Sequence, residues 1–353
     1  MRRGLVFLVL TSAVLAAVVA CSESSPSAGP GGTSAVPRLP DGAAILPDGA
    51  PNESVACPLA RAAASCKVPA DLTGVQLGSA WATTDEDCKT TLYIAKIADE
   101  VTYTLARYTA TSIVPTCELV RDEAFTAGEP GDYLAADDDG NVYTSSPTGV
   151  VSRIAPLPAV PCESDLDTAA SDLRPTAITM LRDGTRGYVA FAKLVDGAPV
   201  ERRIAKLEPT PAGCKVTAIA LGQPAKGSID GLAIDTKGRL HVVDHGEKDK
   251  NEDRVAIYLP TGEYVTEYRT GGGGKPLVAV KGITPCRGGL CVEDDGIAVA
   301  VDENGAYRAE APWMPTEATS AHVFTGTVRG PFFSVSGASG GEKILVDLLA
   351  EHE

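Results

Sequence analysis

The sequence is poor in positive charge. It carries 31 Lys and Arg against 46 Asp and Glu over 353 residues, a formal charge of −15. Such a surface repels polyphosphates and anionic lipid headgroups at long range, which argues against nucleic-acid binding and leaves cationic partners open. It has no Cys-x-x-Cys phrase, so neither a zinc knuckle nor a thioredoxin-type redox site is indicated. Histidine is scarce, with four residues and no His-Glu-x-x-His phrase, which removes the usual zinc-protease motif. Long helical spacing is missing after about residue 70, and no apolar run reaches the roughly 20 residues of a permanent membrane span. Turn-forming residues are plentiful. The 36 Gly and 25 Pro make 61 of 353, above ordinary usage but below a disordered composition, so the chain reads as globular and turn-rich.

Arg2 and Arg3 precede an apolar or small stretch from Leu5 to Ala20 that ends in Val18-Val19-Ala20-Cys21. This is the pattern of a secretion signal. Its last four residues resemble the lipobox of bacterial lipoproteins, which implies lipidation of Cys21 and a membrane partner through that lipid. Ser22 at the next position implies, by the same resemblance, the outer membrane, with the head in the periplasm or at the cell surface. Residues 1–20 are therefore expected to be a signal peptide. Residues 21–54, rich in Ser, Pro, Gly and Ala, are expected to be a flexible tether, leaving 55–353 as the folded domain.

The folded part repeats. Ile229-Asp230-Gly231-Leu232-Ala233-Ile234-Asp235, Thr236-Lys237-Gly238 and Arg239-Leu240-His241-Val242-Val243-Asp244 read as strand, turn and strand. A charged loop and a second hairpin around Pro260-Thr261-Gly262 complete four strands in about 40 residues. Looser copies place turn glycines at 140, 184, 238 and 288, and periods of this length mark propellers or solenoids. The expected fold is all-β, a β-propeller of six four-stranded blades near 71–120, 127–168, 173–222, 228–270, 278–312 and 318–350. Asp137-Asp138-Asp139-Gly140-Asn141 reads as a hairpin turn, since its flanks depart from an EF-hand. Gly337-Ala338-Ser339-Gly340-Gly341 matches Gly-x-Ser-x-Gly, but a nucleophile elbow needs a large α/β scaffold, and the one histidine that follows is His352 at the end of the sequence, so the phrase reads as a glycine-rich turn.

Residues 229–268 resemble NHL-repeat proteins and the gluconolactonase/regucalcin-type propellers. The resemblance implies that Asp230, in an Asp-Gly phrase, faces the central channel as a metal ligand. The family's Asn would fall near Pro175-Thr176-Ala177, where none stands, and its acidic ligand has no match in the first blade. Loops between second and third strands, expected at 145–149, 193–203, 244–254 and 293–296, should surround the channel mouth. Two of them add Glu247, Asp249, Glu293, Asp294 and Asp295 to Asp230 as a candidate set for Ca²⁺, a cation that takes six to eight oxygens. Without Cys21 eight cysteines remain, an even number that in an exported chain reads as disulfides. Cys88 with Cys117, Cys286 with Cys291 and Cys57 with Cys66 are the favoured pairs. Cys162 with Cys214 is the least favoured, because third turns of neighbouring blades splay apart.

The functional expectation is a tethered binding or scaffold module that presents its loop face to a protein, peptide or envelope component. A metal-dependent lactonase and a structural envelope lipoprotein are the alternatives. Replacing Cys21 by Ser should leave an unprocessed or soluble protein, and mass spectrometry of the mature N-terminus should find a lipid on Cys21; an unmodified N-terminus at another residue would contradict the export reading.

Overall fold

The computed structural model describes residues 64–67, 69–72, 75–85, 89–97, 103–110, 117–167, 172–196, 198–246, 253–269, 271, 275–286, 288–312, 322–326, 332–336 and 343–346. Cys21 with its tether, Cys57, Cys88, Glu247 and Asp249 lie outside the described residues. Among the described residues, regular structure is strand apart from a 3-10 turn at Ala70–Leu72, and no helix is long and apolar enough to cross a membrane.

Strand β1 (Ala64–Lys67) comes first in the chain. β2 (Gln76–Thr84), β3 (Thr90–Ile97), β4 (Tyr103–Ala110) and β5 (Cys117–Arg121) then form an antiparallel meander. A second is built from β6 (Tyr133–Ala136), β7 (Val142–Ser145), β8 (Val151–Ala155) and the short β9 (Val160–Pro161). After β10 (Glu163–Ser164) come β11 (Arg174–Met180), β12 (Gly187–Val195), β13 (Ala198–Thr210) and β14 (Gly213–Ile219). The fourth meander holds β15 (Ile229–Ile234), β16 (Leu240–Asp244), β17 (Arg254–Tyr258) and β18 (Tyr264–Tyr268), and the fifth β19 (Val280–Cys286), β20 (Gly289–Asp294), β21 (Ile297–Val301) and β22 (Tyr307–Pro312). β23 (His322–Gly326), β24 (Phe332–Ser336) and β25 (Lys343–Val346) end the chain, and β25 takes β1 as its antiparallel neighbour.

This is a β-propeller, but its strands form five hydrogen-bonded sheets and not six separate ones. The expectation of six four-stranded blades fails because β1 pairs on both edges. It is antiparallel to β25 and also parallel to β5, with Cys66 opposite Cys117, so the first and last meanders fuse into one sheet of eight strands. Sequence periodicity detects hairpins and is blind to a parallel pairing that joins residues from opposite ends of the chain. The inner strands β2, β6, β11, β15, β19 and β23 pack in succession, and β23 closes on β2.

The fourth meander buries both faces against its neighbours, which explains the near-continuous apolar runs of its middle strands. Val242, Ala256 and Tyr258 pack with Tyr188, Ala190 and Ile204 on one side. Val243, Val255 and Ile257 pack with Val292, Val299 and Val301 on the other. The turn phrase works as its residue types require. Asp235 Oδ1 accepts from the backbone N–H of Lys237 at 3.0 Å and of Arg239 at 2.8 Å, and Gly238 takes φ +74°, a conformation that a side chain would strain. Asp302 repeats the device on Asn304 and Ala306, both at 2.8 Å. Neighbouring turns are tied together by Thr236, whose N–H donates to Glu303 at 2.9 Å, and by Arg239, which donates to the Glu303 carbonyl at 2.8 Å.

A second device recurs on the opposite face. Asp244, at the end of β16, accepts from the N–H groups of Lys226 at 2.9 Å and Gly227 at 2.8 Å. Asp294, at the end of β20, accepts from Val278 at 2.9 Å and Ala279 at 2.8 Å. Each carboxylate thus grips the segment that leads into its own sheet. Asp244 is 1% exposed, and its charge is balanced by the buried Arg254, which donates from Nε at 2.8 Å and also pairs with Glu267.

Two disulfides stand among the described residues. Cys286–Cys291 closes the first turn of its sheet as expected. Cys162–Cys214, the least favoured of the candidate pairs, also forms, with Cα atoms 4.5 Å apart. The reason is β10, which leaves the second meander and pairs in parallel with β14, Glu163 opposite Lys215 and Ser164 opposite Val216. That pairing carries Cys162 onto the outer edge of the next sheet.

Replacing Arg254 by Met should cost roughly 3–5 kcal/mol, because it leaves Asp244 charged and buried without its counter-ion. Thermal unfolding checks this, and an unchanged melting temperature would refute the role given to the pair.

Candidate functional site

The inner strands are not regular. Register shifts put one extra residue in the ladder at Gly78 of β2, Thr176 of β11, Asp230 of β15 and Lys281 of β19. A bulge bends its strand and re-aims the side chain of the extra residue. Here the bulged Asp230 and Lys281 both face a cavity of about 200 Å³ on the propeller axis, which residues from every inner strand line, among them Trp81, Tyr133, Ala177 and Thr325. A groove of about 450 Å³ lies elsewhere, between Tyr103 and the segment 129–161, and the acidic residues singled out from sequence are absent from its walls.

One cavity-lining group comes from a second strand. Glu293 on β20 stands opposite Gly282 on β19, and because Gly282 has no side chain the carboxylate reaches across it into the channel. A Cβ at Gly282 would lie 3.5 Å from Glu293 Oε2. Glu293 is 7% exposed and its carboxylate has no hydrogen-bond partner among the described residues, which is unusual for a buried acid. Burial pushes its pKa up to about 7, against a small opposing pull from Lys281. The hydroxyl of Ser79, also on the cavity wall, is buried without a partner too.

Asp230 is differently placed. Its Oδ2 lies 2.9 Å from His245 Nε2, while His245 Nδ1 lies 3.0 Å from Asp253 Oδ2. Asp253 Oδ2 accepts in turn from the N–H of Val280 at 3.2 Å, so this chain of contacts links the channel mouth to the start of β19. A neutral imidazole donates from one nitrogen alone, whereas two carboxylates are matched by the doubly protonated ring. The hydrogen bond to Asp230 accordingly raises the His245 pKa, against desolvation.

The four described acids of the sequence-based set do not all meet at the cavity. Asp230 and Glu293 share the cavity. Asp294 is turned away to hold the linker at Val278 and Ala279, and Asp295 forms the two-residue turn between β20 and β21 with Gly296, at φ +47° and +79°. Glu293 itself lies within a strand and not in the loop expected at 293–296. Likewise 193–203 is largely paired strand, since β12 runs to Val195 and β13 starts at Ala198. Both differences arise from two-residue hairpin connections that are tighter than the residue patterns indicate. Among the described residues no three His, Cys, Asp or Glu side chains group so as to hold a metal ion. His245 was missed from sequence, although a signal existed: the hairpin centred on Asp235–Gly238 pairs Ile229 with Asp244 and so sets the next residues, Asp230 and His245, at the same end.

No family model matches the chain, and no curated protein matches it. Among solved structures, glutaminyl cyclase from Myxococcus xanthus is similar with a TM-score of 0.39 and 13% identity, over 61% of this chain and 90% of that one. A protein of unknown function from Dyadobacter fermentans is similar with a TM-score of 0.45 and 11% identity, over 80% of this chain and 96% of that one. At these values neither likeness bears on chemistry, and the fold assignment rests on the strand pairing itself.

Glu293 makes a pH prediction. Its pKa is raised in the folded state, so folding is favoured when it is protonated, and that contribution fades as pH rises from the ordinary value of 4.5 to about 7. A shift of this size corresponds to roughly 3 kcal/mol. Glu293→Gln should therefore melt several degrees above the parent protein at pH 8 and level with it at pH 4.5. Asp137, which burial raises to about 6, is present in both proteins and cancels. A melting difference independent of pH would contradict the assignment.

Proposed function

We propose that this chain is a lipid-anchored, extracytoplasmic binding module whose ligand seats in the axial cavity, as a small polar molecule or as one residue of a peptide or envelope component. The observation that carries the reading is Glu293, a buried carboxylate that has no hydrogen-bond partner among the described residues and is led into the channel over a glycine. Leaving such a group unsatisfied costs about 1–3 kcal/mol or more, a cost that a ligand supplying the missing donor recovers. A volume of about 200 Å³ is less than the roughly 300–1,000 Å³ of sites for drug-sized molecules and suits one side chain or a metabolite of that scale.

The same geometry supplies a plug. A side chain at Gly282 has ordinary room at its Cβ and would extend into the cavity. In a Trp313→Phe background, where Trp81 on the cavity wall is the remaining tryptophan, a library of small polar fragments should include compounds that shift Trp81 emission. Those compounds should compete with one another and lose binding in Gly282→Leu without loss of thermal stability. Fragments that bind equally well to the plugged variant would refute the channel as the site.

A further inference from the structure

The cavity wall carries two acids, Asp230 and Glu293, and one base, Lys281, and they are not equivalently paired. Asp230 is matched by His245 at 2.9 Å. The other two, Glu293 and Lys281, sit on neighbouring strands, and Glu293 is opposite Gly282, the residue after Lys281. They feel each other electrostatically, yet their charged ends do not meet in an ion pair or a hydrogen bond. Lys281 is exposed at its bulge, while Glu293 is 7% exposed. The cavity therefore offers a carboxyl group at depth and a positive group toward the solvent, held apart in one small space with Trp81 and Tyr133 on the wall.

On the reading of the channel as the ligand site, we infer that this site recognises a zwitterion of amino-acid size, its ammonium group donating to the Glu293 carboxylate and its carboxylate accepting from Lys281. A bare cation would meet Lys281 unfavourably, and a bare anion would meet Glu293. Only a ligand carrying both charges joins the two without a like-charge contact. The order of charges follows from depth. The ammonium goes to the buried acid, where a charge-assisted hydrogen bond is strongest, with the buried Ser79 hydroxyl on the same wall as a further polar contact. The carboxylate stays near water at Lys281. The aromatic rings of Trp81 and Tyr133 suit an ammonium-bearing carbon next to them.

The test is a titration of the full chain, by Trp81 emission and by calorimetry, with the twenty free amino acids and, for each that binds, with its methyl ester and its N-acetyl derivative. The ester keeps the ammonium and the N-acetyl form keeps the carboxylate. At least one free amino acid should bind about tenfold or more tightly than both of its blocked forms. Glu293→Gln should reduce its affinity to about that of the N-acetyl form, and Lys281→Met to about that of the ester. Both substitutions keep side-chain length, and Lys281 is exposed, so a melting temperature no lower than the parent's separates lost recognition from lost fold. An ester that binds as well as its free amino acid overturns the zwitterion assignment, as does an affinity that neither substitution changes. If no amino acid binds while fragments still bind in the Gly282-dependent manner described above, the inference fails and the channel reading stands; if the fragments fail as well, both fall.

Discussion

Everything at the candidate site depends on how each inner strand is started. Asp244 and Asp294 close the ends of β16 and β20, and each grips two backbone N–H groups of the linker that precedes the inner strand of its own sheet. A carboxylate that accepts two backbone donors at 2.8–2.9 Å fixes the approach of that linker. The strand then enters its ladder one residue out of step, and the resulting bulge turns Asp230 in one sheet and Lys281 in the next toward the axis. Arg254 holds the first of these grips by neutralising Asp244 in a fully buried place. The opposite face is organised by the Asp-led turns, whose cross-contacts from Thr236 and Arg239 to Glu303 keep successive sheets aligned.

Division of labour among the acids follows from these positions. Strand alternation sends Glu293 and Asp294, adjacent in sequence, in opposite directions, so one becomes a buried channel group and the other a structural clamp. Asp230 and Asp253 are bridged by His245, and since Asp253 also holds the N–H of Val280, the mouth of the channel and the next inner strand share one charged network. Of these acids, the Glu293 carboxylate is the one without a hydrogen-bond partner among the described residues, and that asymmetry distinguishes a site from a framework.

Much of this was legible in the sequence, and the limits have physical causes. Four-strand units, their turn glycines and the turn-forming role of Asp137 and Asp235 are local, set by residues within ten positions of each other, and pattern reading finds them. Asp230 was placed at the channel by its resemblance to a propeller phrase, and it lines the cavity. Glu293 was singled out for the wrong setting, in a loop, because its burial depends on a glycine in a different strand. The acidic set scattered because net acidity in a loop-rich segment carries no information about which carboxylates are consumed by backbone N–H groups. Cys162–Cys214 ranked last among the candidate pairs and the eight-stranded sheet escaped because both rest on parallel pairings, β10 with β14 and β1 with β5, that leave no periodic trace.

The central claim is that Glu293 and Lys281 are the two ends of one ligand seat. It is tested most directly by a crystal structure of the full chain grown with the amino acid that binds it best. The account predicts density in the axial cavity that bridges Glu293 and Lys281, with the amino nitrogen at hydrogen-bond distance from the Glu293 carboxylate. A cavity without ligand density, with Glu293 instead paired to a group of the protein itself, would contradict it.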